Sequence, residues 1–103
     1  MKTFDLELRI TTFGSILAWE VLLEDATDKN QRVLDWLQGD GCRYKLLPGY
    51  QIKDDILNVF VGCQGIKGGT VTCEVVINNE RRPNKVISRV EERNYAQGDY
   101  PID

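Results

Sequence analysis

The sequence predicts an all-β fold, a two-sheet antiparallel sandwich of about seven strands, from three observations. Thr70 to Ile77 alternates strictly, with Val71, Cys73, Val75 and Ile77 on one side and Thr70, Thr72, Glu74 and Val76 on the other. Phe4, Leu6, Leu8 and Ile10 alternate in the same way with Asp5, Glu7, Arg9 and Thr11. A period of two is that of a strand with one buried face. Turn formers then bound each apolar run: Gly68-Gly69, Asn78-Asn79, Gly39-Asp40-Gly41 and Pro48-Gly49.

The elements follow in order. Phe4 to Ile10 is the first strand, carrying its charge on the outer face. After Phe13-Gly14-Ser15, the run ILAWEVLLED sets Leu17, Trp19, Val21 and Leu23 opposite Ala18, Glu20, Leu22 and Glu24, a second strand. Residues 27–38 admit two readings. Thr27 as an N-cap would begin a helix with Val33, Trp36 and Leu37 on one stripe and Gly39 or Gly41 at its end. A turn at Asp28 to Asn30 and a strand from Gln31 to Gln38 is preferred, because the flanking patterns are all β and a hairpin needs no long crossover.

Cys42 to Leu47 forms a short extended piece that stops at Pro48-Gly49, where proline removes a ladder donor. In ILNVFVGC, Leu57, Val59, Val61 and Cys63 form one apolar row while Ile56 and Phe60 add to the other face, so this strand is buried on much of both sides. A glycine-rich connector, Gln64 to Gly68, joins it to the Thr70 strand. Past Pro83, KVISRVEER supplies Val86, Ser88 and Val90 as a weaker last strand. GDYPID adds Tyr100 and Ile102 to a polar tail that either packs along an edge or stays loose.

At 103 residues, 42% hydrophobic and 28% charged, the chain has the size and balance of one globular domain spanning residues 1–103. A net charge of -3 argues against general binding of nucleic acid or of anionic membranes, which draw affinity from clustered Lys and Arg. One local excess of positive charge runs from Glu80 to Arg93, where Arg81, Arg82, Lys85, Arg89 and Arg93 face only Glu80, Glu91 and Glu92. It reads first as a solvated strand edge that discourages aggregation and second as a docking patch for an acidic partner. No apolar stretch at the amino terminus has the length of a membrane span or a signal peptide. As it stands the sequence is that of a cytoplasmic protein; a leader or anchor removed from its start would make it an exported or lipid-anchored one.

The chain has no histidine, which removes Ser/His/Asp and Cys/His relays and the commonest neutral-pH base. Asp54-Asp55 and Glu91-Glu92 are adjacent pairs that a strand sends to opposite faces, so neither converges as an acid/base couple. Cys42, Cys63 and Cys73 match no zinc spacing, and Asp25, Asp28 and Asp40 lack the order of a calcium loop. Neither metal nor cofactor is expected. A regular hairpin would set Cys63 near Thr70 and Cys73 near Phe60, which separates the two thiols and favours free, buried cysteines in a reducing compartment. Gly65-x-x-Gly68-Gly69 reads as loop chemistry, since the phosphate-cradle patterns are absent.

From Ala18 to Asn79 the order of signals resembles the small bacterial domains of the mycobacterial membrane protein small type and their lipoprotein-like relatives. The residues that carry the resemblance are AWEVLLEDA, the Leu47-Pro48 turn, and the glycine-rich connector before GTVTCEVVINN. It implies a transthyretin-like or immunoglobulin-like sandwich. Two features depart from those relatives: an amino-terminal anchor is absent, and Cys73 has no partner cysteine near the carboxyl end. No functional residue transfers.

The expected function is a non-catalytic protein-interaction module, such as an accessory or immunity-type partner in a bacterial secretion or toxin system. Its candidate contacts are Trp36, Tyr44, Arg81, Arg82, Lys85 and Arg89, because exposed aromatic and Arg side chains dominate interfaces. A second copy pairing along an open edge strand is the other partner the pattern allows. The alternative is a carbohydrate- or lipid-binding cell-surface domain, with Trp19, Trp36, Tyr44 and Tyr50 as an aromatic platform. A carboxylate enzyme ranks last.

Overall fold

The computed structural model describes residues 1–103. Its strands are β1 (Lys2–Phe13), β2 (Ile16–Leu23), β3 (Leu37–Gln38), β4 (Arg43–Ile52), β5 (Ile56–Gly65), β6 (Thr70–Ile77), β7 (Glu80–Arg81), β8 (Val86–Arg89) and β9 (Ala96–Pro101). They form two antiparallel sheets. The larger has six strands in the order β3-β4-β1-β6-β7, with β8 sharing the outer edge of β6; the smaller has the order β2-β5-β9. The all-β sandwich predicted from alternation is therefore the fold, with nine strands where about seven are predicted.

The two strictly alternating segments, β1 and β6, lie side by side, Leu8 opposite Val75 and Ile10 opposite Cys73. Their apolar rows, with Val21, Leu57, Val59 and Val61 from the small sheet, form most of one cluster of 18 buried residues. Burying these rows out of water is what holds the sheets face to face. Leu8, Val21, Val59, Val61, Val71, Cys73 and Val75 are wholly inaccessible.

Three expectations need correction. The strand expected to stop at Leu47 continues to Ile52. The register slips between Phe4 opposite Tyr50 and Leu6 opposite Leu47, so Pro48 and Gly49 bulge out of the ladder. There the missing proline donor is harmless, Gly49 takes φ 64, and its N–H is satisfied by the Asp5 carboxylate at 3.0 Å.

Residues 27–38 are neither the helix nor the continuous strand. Asp25 Oδ1 accepts the Thr27 N–H at 2.9 Å and Asp28 Oδ1 accepts that of Asn30 at 2.9 Å. These local bonds shape a single 3-10 turn, Lys29–Gln31. One bridge then ties Arg32 to Leu22, and the Val33 N–H donates to the Val21 carbonyl at 2.9 Å. Asp35, at φ 59, breaks the extension before Leu37–Gln38 joins β4, so the preferred strand reading holds only there.

β5 and β6 are not a hairpin, because each belongs to a different sheet and their connector crosses between the layers. Cys63 pairs across the ladder with Trp19 instead, and all three cysteines are free. The polar tail is the third strand of the small sheet. Tyr100 is buried with its hydroxyl donating to the Asn84 carbonyl at 2.7 Å, which anchors β9 to the turn before β8.

Sheet edges bear on partners. The large sheet ends in the two-residue strands β3 and β7 and the four-residue β8. Such short edges blunt pairing with another chain. In the small sheet β2 is bridged by Arg32, while β9 pairs on one side only, its course interrupted by Gly98 and closed by Pro101.

Candidate functional site

Alternation that buries one face of the large sheet presents the other to solvent, and register places the outward residues in cross-strand rows. Leu46, Glu7, Val76 and Arg81 form one row; Leu37, Tyr44, Arg9 and Glu74 form the next. Thr11, Thr72 and Ile87 make a third, and Phe13, Thr70 and Arg89 a fourth. Leu37, Leu46 and Ile87 are 49%, 51% and 41% exposed, so large apolar side chains are distributed across this face rather than confined to its centre.

Of the six sequence-predicted contact residues, Tyr44, Arg81 and Arg89 share this face, and Lys85 reaches it through Glu74. Tyr44 lies on β4 and the basic residues on the opposite edge, with β1 and β6 between, a span of ~14 Å at the ordinary strand spacing. Arg82 is half-buried, its Nε without a hydrogen-bond partner. Trp36 is elsewhere: its ring stands edge-to-face against Trp19 at 5.0 Å and 74°, and its Nε1 donates to the Val33 carbonyl at 3.1 Å.

The basic stretch does not act as a free cationic patch. Glu74 of the neighbouring strand sits 3.1 Å from Arg81 Nε and 3.7 Å from Lys85 Nζ, and Glu92 lies 3.9 Å from Arg89. Arg9 is likewise paired with Glu7. Charge counted along the chain overstates the charge that a partner would meet, because the compensating carboxylate comes from the adjacent strand.

The small sheet carries a second arrangement that the sequence reading did not single out. Glu20 points to its outer face, where it accepts a hydrogen bond from the Tyr95 hydroxyl and lies 3.4 Å from Arg32 Nε and 3.5 Å from Lys29 Nζ. Gly62, directly opposite Glu20 on β5, makes room for the Tyr95 ring; a Cβ at that position would come within 2.5 Å of it. The Tyr95 hydrogen bond, more than the nearby cations, holds the Glu20 carboxyl below its ordinary range against some desolvation. The same bond, with burial, raises the Tyr95 phenol. An open recess of about 380 Å³ lies here, lined by Ala18, Gln64, Arg93 and Asn94 among others. Two signals were present in sequence: a lone carboxylate inside LAWEVLL and a glycine interrupting VFVGCQ.

The aromatic side chains weighed as a platform divide among separate places. Trp19 and Trp36 pack on one another, Tyr50 packs edge-on against Phe4 at 5.9 Å, and Tyr44 stands on the large sheet's outer face. Burial pushes the Tyr50 phenol up to about 12, and the Cys73 thiol, also desolvated, up to about 12. Cys63 is half-buried with its sulfur 3.4 Å from Ser88 Oγ. No group of three or more Cys, Asp or Glu side chains is placed to hold a metal ion. No helix is long and apolar enough to cross a membrane.

Comparison with family models, with curated proteins and with solved structures finds no match. The fold and its surface thus define a β-sandwich with one mixed apolar and charged sheet face.

Proposed function

We propose that the protein is a non-catalytic interaction module that docks a protein partner on the outer face of the six-stranded sheet. The observation that carries this reading is the set of cross-strand rows in which Leu37, Tyr44, Leu46, Val76 and Ile87 interleave with Glu7, Arg9, Glu74, Arg81 and Arg89. Aromatic and Arg side chains are the types that most often dominate interfaces, an aromatic ring losing little conformational entropy when a partner covers it, and polar neighbours supply direction. The ion pairs among the charged members leave them low in net charge, which favours a partner surface of similarly mixed character. An accessory or immunity-type role in a bacterial system is the setting that this kind of module fits.

The test is comparative capture from cells that make the protein. Immobilised wild-type chain, Leu46→Asp and Ile87→Asp are compared by mass spectrometry. A protein retained by the wild type and lost from both variants supports the docking face. Identical retention by all three, or background proteins alone, contradicts it.

A further inference from the structure

A different surface points to a second kind of partner. We propose that the end of the sandwich formed by the β1–β2 and β5–β6 connections inserts into a phospholipid surface. Apart from Met1, the most exposed large hydrophobic side chains of the whole chain are Leu17 at 81%, Phe13 at 75% and Ile66 at 63%. Ile66 lies in the β5–β6 connection, while Phe13, the last residue of β1 and the end of the fourth outer-face row, and Leu17, the second residue of β2, flank the β1–β2 connection. Leu17 is the residue left over where the β2–β5 register slips between Ile16 and Ala18, a bulge of the kind that re-aims a side chain.

The two connections form one tip. The Ile66 N–H donates to the Ser15 carbonyl at 3.0 Å, and Phe13 is paired with Thr70 just past the second loop. The Gly69 N–H donates to the Ile66 carbonyl at 3.0 Å and the Gly68 N–H to Glu91 Oε1 at 2.8 Å. These bonds matter in a lipid interface, where water is scarce and backbone groups left unpaired are costly. The tip brings its own partners with it.

Charge selects the occupant. In a chain with 28% charged residues, Thr11 to Ala18 carries none, and Gly65 to Gly69 carries only Lys67. Glu91, the carboxylate in contact with the tip, is turned onto the Gly68 N–H, and Lys67 enters no ion pair. Apolar side chains beside a lone ammonium match the headgroup boundary: the hydrocarbon passes below the phosphates and the ammonium stays among them. Three side chains are far fewer than the ~20 residues a side that a stable protein interface uses. The net charge of -3 opposes adsorption of the whole body, so attachment depends on these apolar groups and is reversible.

Vesicle flotation tests this with the full chain. Vesicles of phosphatidylcholine alone and of phosphatidylcholine with phosphatidylserine are used, and circular dichroism verifies that each variant is folded. Wild type is expected to float with both kinds of vesicle. Ile66→Asp and Leu17→Asp are each expected to lower binding about tenfold, since each removes one buried aliphatic side chain. If Leu17→Asp does not fold, Ile66→Ser replaces it. Leu46→Asp, on the large sheet, is expected to float like the wild type. The proposal is overturned if wild type floats with neither vesicle, if Ile66→Asp floats like wild type, or if light scattering shows a wild-type dimer that Ile66→Asp disperses, which would make a second copy the occupant.

Discussion

Asp5 and Asn78 lie 73 residues apart and exchange two hydrogen bonds: the Asp5 N–H donates to Asn78 Oδ1 at 2.9 Å, and the Asn78 N–H donates to the Asp5 carbonyl at 2.9 Å. The Asp5 carboxylate meanwhile closes the Gly49 bulge, so one residue locks the β4 bulge and the β6–β7 turn to the same central strand. Asn78 and Asn79 both take positive φ, 51 and 66, as a two-residue hairpin turn of the primed kind requires. Asn78→Ala is expected to cost about 1–2 kcal/mol, the sum of a lost side-chain bond and left-handed backbone strain. Urea unfolding measures it, with Asn79→Gly expected to be neutral or stabilising.

Leu8 occupies the middle of the central strand, between Lys45 of β4 and Val75 of β6, and is wholly buried. Leu8→Ala is expected to destabilise by about 2–5 kcal/mol through lost transfer energy and the cavity left behind. The change in denaturation midpoint at constant slope is the readout.

The Glu20–Tyr95 contact makes stability depend on pH at both ends. Because the Glu20 carboxyl titrates below its ordinary 4.5, its contribution is present above that value and is lost as acid protonates the folded form. The Tyr95 phenol titrates above its ordinary 10.0, so its contribution is complete below that value and is lost as pH rises through the folded one. Glu20→Gln is expected to cost about 1 kcal/mol at neutral pH, given a partly exposed bond. The gap to the wild type is expected to narrow as pH falls below the ordinary 4.5 and the folded carboxyl takes up its proton. Gly62→Val is expected to expel the Tyr95 ring and abolish both effects, which ultraviolet titration of the phenol would register.

Thiol reactivity separates the three cysteines. Cys73 is wholly buried and its thiol is pushed up to about 12, so iodoacetamide is expected to leave it unmodified in the native protein while Cys42 and Cys63, both half-buried, label slowly. In denaturant all three are expected to react alike. Mass spectrometry of the peptides distinguishes them.

The fold was legible in sequence where alternation was strict. β1 and β6 read correctly because every second residue is apolar and the sheets bury one face of each, whereas β5, expected to be buried on much of both sides, buries only the Leu57, Val59 and Val61 face and leaves Ile56 exposed and Phe60 half-buried. Legibility ended where pairing depends on distant residues. The Pro48-Gly49 bulge requires the carboxylate of Asp5, and β9 requires β5 beside it, neither of which local pattern encodes. The site divided in the same way. Tyr44, Arg81 and Arg89 did reach a common face, because parity along each strand fixes the side on which they stand. Trp36 did not, since the turns after Asp25 and Asp28 bring it against Trp19. The charge of Arg81 and Lys85 was misjudged because Glu74 is their neighbour in space and not in sequence.

Photo-crosslinking in the producing cells tests the docking face most directly. Benzoylphenylalanine is placed in turn at Tyr44 and Ile87, on the outer face of the six-stranded sheet, and at Lys53, an exposed position in the turn between β4 and β5. Discrete adducts to the same protein from Tyr44 and Ile87, and none from Lys53, are the expected result. No adduct from either face position, or the same adduct from Lys53, would contradict it.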